Sequence, residues 1–173
     1  AKALMLRGDP VLLAGSAADD FAEHEGVDTV DNEHFSTERR RKNLASMKLR
    51  EIVGTAAEAS EAEKHGTVGA VACDAQGHLA AATSTGGYTN KPVGRVGDSP
   101  IIGAGTYARD GRCAVSGTGK GEFFIRYCVG HEIASLIGYA GLSLKEAADR
   151  AIADLTAHRI GAGLVAVGAD GTI

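Results

Sequence analysis

Two strand-turn-strand patterns constrain this chain more than any other feature of its sequence. Each pairs two β-prone runs across four residues that contain glycine: residues 67–73 with 78–84 across residues 74–77, and residues 101–108 with 113–119 across residues 109–112. Glycine reaches the positive φ that a short hairpin turn requires. Each pattern therefore predicts two adjacent antiparallel strands.

The segments outside these hairpins carry mainly helical patterns. The predicted helices are residues 3–7, 17–25, 36–50, 122–139 and a segment running through Leu155, and the additional predicted strands are residues 11–14 and 163–168. Ser143 caps the last helix and has Glu146 three residues later, which is the pattern of a capping box. Residues 54–65 change in character to Thr, Ala, Ser, Glu and Lys, and we interpret them as a linker.

This order of elements predicts an α+β fold in which helices cover antiparallel sheet. A chain of 173 residues, 44% of them hydrophobic, is long enough for one domain with a substantial core. Its 24 glycines, its lack of tryptophan and its 5% of aromatic residues indicate many positions where the backbone is closely packed.

Charge and composition argue against several classes of partner. The net charge is -4, and the basic run at residues 39–42 continues into a helical pattern, so we expect no nucleic acid partner. The apolar start is too short to span a membrane and lacks the cleavage site of a secretory signal, so we expect a cytoplasmic protein.

Cys73, Cys113 and Cys128 form no metal-binding pattern, and we interpret them as buried free thiols.

Thr67 lies where the linker meets the first strand. A β-branched residue at the start of a strand is ordinary, so packing alone explains it. However, Gly66 has no side chain to obstruct attack on its carbonyl group, so the Gly66-Thr67 bond is open to self-cleavage. The cut would give Thr67 a free α-amine with a pKa of about 7.7 to 8.0, which is able to act as base for its own hydroxyl. The check for a conventional serine nucleophile is negative. The segments around Ser84 and around Ser116 both lack the first glycine of the G-x-S-x-G nucleophile elbow.

Three further polar groups follow Thr67 along the chain. Thr85 ends the partner strand in the run 83–87, so its hydroxyl can return to Thr67, although a hydroxyl-rich strand edge explains it too. Arg95 offers a fork for a carboxylate and Asp98 an acceptor for an ammonium group, while a mutual salt bridge is the alternative. The glycine-rich turn at residues 117–122 has amides and a hydroxyl suited to an oxyanion, or it is only a turn.

In this order, the four groups resemble the plant-type asparaginase and isoaspartyl aminopeptidase family of N-terminal-nucleophile hydrolases. The matching stretches are residues 65–71, 80–87, 94–105 and 117–122. The resemblance is dense from Thr67 to Glu122 and looser on both flanks.

The resemblance implies a four-layer αββα sandwich made of an α and a β subunit that are cut from one precursor. Residues 1–66 would be the C-terminal part of the α subunit with its linker, and residues 67–173 the N-terminal part of the β subunit. Two αβ units would form a dimer. We expect the chain to be an internal part of such a precursor, because family members extend beyond both of its ends.

The resemblance also implies a role for each candidate residue. Thr67 would be the nucleophile and Thr85 would hydrogen-bond to it and tune it. Arg95 would bind the α-carboxylate of the substrate and Asp98 its α-amine, while Thr118 with Gly119 would form the oxyanion hole. The substrates would be β-aspartyl amides, namely asparagine and isoaspartyl dipeptides. No cofactor would take part, and the structural sodium or similar cation of the family would lie in a loop that this chain does not contain.

Two alternatives stand beside this interpretation. A glycosylasparaginase shares the threonine and the Arg-x-x-Asp elements, but it typically has an aspartate where this chain has Gly66. A non-catalytic glycine-rich binding module would leave Thr67 joined to Gly66. The first alternative is tested by substrate preference and the second by whether the chain cuts itself.

Overall fold

A computed structural model describes residues 1–56 and 66–173 of the chain. The helices of the described residues are α1 Lys2–Arg7, α2 Ser16–His24, α3 Glu38–Val53, α4 Gly121–Tyr127, α5 Val129–Ala140 and α6 Leu144–Ala157, with a 3-10 turn at Asn32–Phe35. The strands are β1 Thr67–Cys73, β2 Leu79–Thr85, β3 Thr106–Ala108, β4 Cys113–Gly119 and β5 Ala162–Gly168. Most of the predicted linker, residues 57–65, lies outside the described residues.

The first predicted hairpin is confirmed. Strands β1 and β2 pair antiparallel from Thr67 opposite Thr85 to Cys73 opposite Leu79. Asp74 stabilises the turn, because its carboxylate accepts hydrogen bonds from the backbone N–H groups of Gln76 at 2.9 Å and His78 at 2.8 Å. The turn therefore sets the register that places Thr67 and Thr85 side by side.

Strands β3, β4 and β5 form a second antiparallel sheet with β4 in the centre. Strand β3 is shorter than predicted, because residues 101–105 form a bend and a turn, with only an isolated bridge between Ile102 and Thr106. The backbone there turns back towards Asp98, whose carbonyl oxygen accepts hydrogen bonds from the N–H groups of Ile101 and Gly105. Gly105 in turn accepts a hydrogen bond from the N–H of Gly117 in β4 at 2.7 Å, so this turn holds Asp98 beside the sheet.

Alternate residues of β4 face two different layers, as the period of two in a strand requires. Cys113 and Val115 join the core formed with α4, α5 and α6, where Phe124, Ile133 and Leu155 are fully buried. Burial of a side chain of this size contributes roughly 1.5 to 3 kcal/mol. The other face of β4 packs on the β1–β2 hairpin. Three described layers follow one another: helices, the three-stranded sheet and the hairpin, which confirms the α+β class.

The predicted helix over residues 122–139 is broken in two at Cys128, where φ is 47°. The cause is a pair of hydrogen bonds to a distant part of the chain, which the helical periodicity of the sequence does not reveal. The N–H groups of Gly130 and His131 donate to the carbonyl oxygens of Ala104 and Gly103, both at 2.9 Å. Helix α5 therefore begins at residues that are hydrogen-bonded to the turn before β3. The capping box of α6 is confirmed, with Ser143 and Glu146 bonding each other reciprocally.

The predictions for the first 56 residues are confirmed for three helices and wrong for one strand. Residues 11–14 are irregular, with Val11 and Leu12 exposed. A four-residue apolar run forms a strand only where a neighbouring strand pairs with it, and none of the described strands does. In the described parts of the chain, every helix is too short or too polar to cross a membrane.

Candidate active site

The hydroxyl groups of Thr67 and Thr85 meet at the open end of the β1–β2 hairpin. The two residues are directly opposite in register, and Thr67 Oγ1 donates to Thr85 Oγ1 at 3.1 Å. Thr85 Oγ1 also accepts a hydrogen bond from the N–H of Gly87 at 3.0 Å. The backbone turn after β2 therefore fixes Thr85, and Thr85 in turn orients the Thr67 hydroxyl.

Gly66, which precedes Thr67, lies against Arg40 of α3. A Cβ on Gly66 would collide with the guanidinium Nη2 of Arg40 and would lie 3.1 Å from its Cζ. A positive charge thus stands beside the peptide bond that joins Gly66 to Thr67. The position of Arg40 was not predictable from the sequence, because nothing in the pattern of α3 relates it to a residue 26 positions later.

Arg95 is held on two sides. Its Nε lies 2.9 Å from Oε1 of Glu122, and its side chain is only 13% exposed. The guanidinium carbon also lies 4.5 Å from the centre of the Tyr88 ring, a cation–π geometry. The hydrogen bond from Arg95 holds the pKa of the Glu122 carboxyl below its usual value. Neither Glu122 nor Tyr88 was predicted from the sequence as a partner of Arg95.

Arg95 and Asp98 approach the same glycine. A Cβ on Gly121 would lie 2.9 Å from Nη2 of Arg95 and would collide with Oδ1 of Asp98. Asp98 is buried, with 7% of its surface exposed, and it also fills the space where a side chain on Gly105 would lie. The structure therefore brings the predicted guanidinium and carboxylate together at the start of α4.

Gly87 connects this pair to the threonines. Its N–H is bonded to Thr85 Oγ1, and a Cβ on it would lie 3.5 Å from Nη1 of Arg95. A side chain at Gly87 would also need a backbone with φ of 77°, which non-glycine residues rarely adopt. Thr67, Thr85 and Arg95 thus belong to one continuous set of contacts.

Strand β1 runs in the opposite direction to β4 across the gap between the sheets. The Ser116 side chain of β4 occupies the space of the missing Cβ of Gly69 in β1. Four residues further along β1, Cys73 Sγ lies 3.7 Å from the carbonyl oxygen of Ala169, and the N–H of Ala169 donates to the carbonyl of Arg112 just before β4 begins. The end of β1 thus lies beside the start of β4.

Consequently Thr67, at the start of β1, lies at the same end of the two sheets as Thr118 and Gly119, where β4 finishes. The Thr118 side chain is exposed. Gly119 has a φ of 145°, and a Cβ on it would lie 2.6 Å from the carbonyl oxygen of Gly161. A glycine is needed here because a side chain would collide with backbone atoms.

The predictions for the cysteines are only partly right. Cys73, Cys113 and Cys128 are free thiols, but only Cys113 is buried, while Cys73 is half-buried and Cys128 exposed. Burial raises the pKa of the Cys113 thiol to about 11. Within residues 1–56 and 66–173, no group of three or more His, Cys, Asp and Glu side chains is arranged to hold a metal ion.

Comparison with known proteins places this chain in a family. The asparaginase family matches residues 1–173. An isoaspartyl peptidase of Escherichia coli strain K12 is 44% identical over 177 residues, which cover 100% of this chain and 55% of the relative. A probable isoaspartyl peptidase/L-asparaginase 2 of Arabidopsis thaliana is 40% identical over 200 residues, which cover 100% of this chain and 59% of the relative.

An isoaspartyl peptidase/L-asparaginase of Mus musculus is 48% identical over 126 residues, which cover 73% of this chain and 38% of the relative. The chain thus spans little more than half the length of the bacterial and plant relatives. The match over residues 1–173 and these identities agree with the resemblance carried by the four motifs. The chain belongs to the plant-type asparaginase and isoaspartyl aminopeptidase family of N-terminal-nucleophile hydrolases.

Proposed function

We propose that the protein containing this chain is a threonine amidohydrolase that cuts itself before Thr67 and then hydrolyses β-aspartyl amides. The observation that carries the proposal is the hydrogen bond between the hydroxyl groups of Thr67 and Thr85, which are opposite each other in the hairpin. Thr67 directly follows Gly66, the last residue of the segment that we expect to be cut off. The names of the relatives, isoaspartyl peptidase and L-asparaginase, support the same chemistry.

The first reaction is the self-cleavage of the Gly66-Thr67 bond. Thr67 Oγ1 attacks the carbonyl carbon of Gly66, the C–N bond breaks, and the proton that the hydroxyl loses is transferred to the nitrogen, which becomes the α-amine of Thr67. Water then hydrolyses the ester, which leaves a carboxylate on Gly66 and returns the Thr67 hydroxyl. Arg40 stands beside Gly66, where its positive charge favours the oxyanion that develops during this attack.

The second reaction uses the same hydroxyl on a substrate. The α-amine takes the proton of Thr67 Oγ1 as this oxygen attacks the side-chain carbonyl of asparagine or of an isoaspartyl dipeptide. The leaving ammonia or amino acid takes the proton, and water hydrolyses the β-aspartyl ester to aspartate. The exposed Thr118 and the adjacent Gly119 would stabilise the oxyanion. Nucleophile and base belong to one residue, so this chemistry needs no cofactor.

Arg95 and Asp98 would hold the aspartyl head group. The guanidinium of Arg95 matches an α-carboxylate, and the carboxylate of Asp98 matches an α-ammonium group. Glu122 and Tyr88 support the proposal, because they fix the orientation of Arg95 before a substrate arrives. This arrangement favours a substrate in which the α-amine and the α-carboxylate are both free, which a β-aspartyl linkage leaves and an α-aspartyl linkage does not.

The proposal includes the architecture of the full protein. Residues 1–66 end the α subunit, residues 67–173 begin the β subunit, and two αβ units form a dimer. The outer face of the β1–β2 hairpin supports a fourth layer, because it presents exposed apolar side chains such as Val68 at 68% exposure. Helices covering it would complete an αββα sandwich.

The three free thiols suit a reducing compartment, which supports a cytoplasmic location.

Two dipeptides of the same composition test the proposal. We expect the full-length protein to hydrolyse β-aspartyl-leucine and to leave α-aspartyl-leucine intact, as measured by release of leucine. Arg95→Lys should raise the KM for the β-aspartyl dipeptide about tenfold, because a point charge replaces one charge-assisted hydrogen bond of the fork. Arg109→Lys, in the turn at the far end of β4, is the matched control and should leave the KM unchanged. Equal rates on the two dipeptides would contradict the proposal.

A further inference from the structure

Three hydroxyl groups form a cluster between the two sheets, below the pair of Thr67 and Thr85. Thr83 Oγ1 lies 2.6 Å from Ser116 Oγ and 2.5 Å from Thr106 Oγ1. Thr106 Oγ1 also donates to the carbonyl oxygen of Ser99 at 3.0 Å. Ser116 is buried, with 4% of its surface exposed. We refer to Thr83, Thr106 and Ser116 as the hydroxyl cluster.

The hydroxyl cluster stands in register with the candidate active site. Thr83 precedes Thr85 by two residues in β2, and Ser116 precedes Thr118 by two residues in β4. Side chains two residues apart in a strand point to the same face and are separated by about 6.6 Å along it. The cluster therefore forms the row of side chains next to the row that contains Thr85 and Thr118.

Ser116 contacts both strands of the hairpin. It is hydrogen-bonded to Thr83 of β2, and its side chain fills the space where a Cβ on Gly69 of β1 would lie, with its own Cβ 2.8 Å from that position. Gly69 and Thr83 are opposite each other in the hairpin. Ser116 therefore contacts β1 and β2 at two residues that are opposite each other. The contacted residue of β1, Gly69, is only two positions after Thr67.

We propose that the hydroxyl cluster positions Thr67 for catalysis, by fixing the separation between the β1–β2 hairpin and the end of β4 that carries Thr118 and Gly119. The inference rests on the proposed function and adds three positioning residues to it. The nucleophile belongs to one sheet and the oxyanion donors to the other. The reacting geometry thus depends on how the sheets are held together, and the cluster is a hydrogen-bonded connection between them at the neighbouring row.

The expected effect is on the chemical step. Replacing the Thr83 hydroxyl with a methyl group keeps the shape but leaves the Ser116 and Thr106 hydroxyls without this partner, so the spacing of the sheets relaxes. A displacement of about 1 Å at a reacting group lowers the rate on the order of a hundredfold. Arg95 and Asp98 are held by other contacts, so substrate binding should change little.

Thr83→Val and Thr83→Ser form the test pair. In fully cut protein, we expect Thr83→Val to lower kcat for a β-aspartyl dipeptide at least about tenfold with KM within about twofold of the parent. Thr83→Ser keeps the hydroxyl and should retain a kcat close to the parent value. The proposal is overturned if the two variants have equal kcat, or if Thr83→Val changes KM and not kcat.

A second pair covers the case in which Thr83→Val does not fold. Thr106→Val and Thr106→Ser are then compared by the same criteria, with thermal unfolding measured on every variant. If neither valine variant folds, the cluster is a requirement of folding and the proposal is overturned. Failure of the proposed function looks different, since the parent itself would then be inactive. An active parent with an equally active Thr83→Val overturns the positioning role alone.

Discussion

Thr67 and Thr85 lie directly opposite each other at the open end of the first hairpin, with 3.1 Å between their hydroxyl oxygens. Since Thr85 is itself fixed by the N–H of Gly87, the orientation of Thr67 is set by backbone geometry. A side chain that is fixed before the substrate arrives loses no conformational freedom during the reaction.

The first prediction concerns this pair. Thr85→Val removes the hydroxyl that orients Thr67 but keeps the shape of the side chain, so kcat should fall on the order of tenfold to a hundredfold. Thr85→Ser retains the hydroxyl and should keep most of the activity. Steady-state kinetics on cut protein provide the measurement, and an unchanged kcat in Thr85→Val would show that Thr85 does not act on the nucleophile.

The second prediction concerns the ion pair of Arg95 and Glu122. Because Arg95 lowers the pKa of Glu122, folding favours the charged carboxylate, and this stabilisation is present above the ordinary carboxyl pKa of 4.5 and lost as the pH falls through the lowered value. Glu122→Gln should therefore have a lower Tm than the parent at neutral pH, and the difference should shrink below pH 4.5.

Glu132→Gln is the matched control for that experiment, since Glu132 is exposed on α5. Its Tm should stay close to that of the parent throughout the pH range. A difference between Glu122→Gln and the parent that persists unchanged into the acid range would mean that the ion pair does not contribute to stability.

The third prediction concerns Arg40 and the self-cleavage step. The guanidinium lies against Gly66, so Arg40→Ala should slow the cut, and Arg40→Lys should slow it less because the charge is retained. Arg41→Ala is the control, because Arg41 pairs with Glu33 instead. The measurement is the fraction of cut chain over time by denaturing electrophoresis. Equal cutting by Arg40→Ala and the parent would remove Arg40 from the reaction.

The parts of the fold that depend only on residues close together in the sequence were predictable from the sequence. The β1–β2 hairpin follows from the turn at residues 74–77, and the start of α6 follows from Ser143 and Glu146. The break at Cys128 was not predictable, because it results from hydrogen bonds between the start of α5 and the turn at residues 103–104. Local patterns contain no information about such distant contacts.

The same distinction applies to the candidate site. Thr67, Thr85, Arg95 and Asp98 could be named as candidates because their chemistry and their order along the chain are informative. Glu122 was missed as a partner of Arg95, since the two residues are 27 positions apart and no sequence pattern relates them. The hydroxyl cluster did leave a trace, because Thr83 and Thr85, like Ser116 and Thr118, are two residues apart and therefore share a strand face.

The proposed function requires that Thr67 becomes the N-terminal nucleophile of a cut chain. The most direct test is the intact mass of the full-length protein during incubation, compared with Thr67→Ala and Thr67→Ser. We expect two fragments whose masses place the cut between Gly66 and Thr67, with slower cutting in Thr67→Ser and a single uncut polypeptide in Thr67→Ala. A parent that stays uncut, or a Thr67→Ala variant cut at this bond at the parent rate, would refute this role of Thr67.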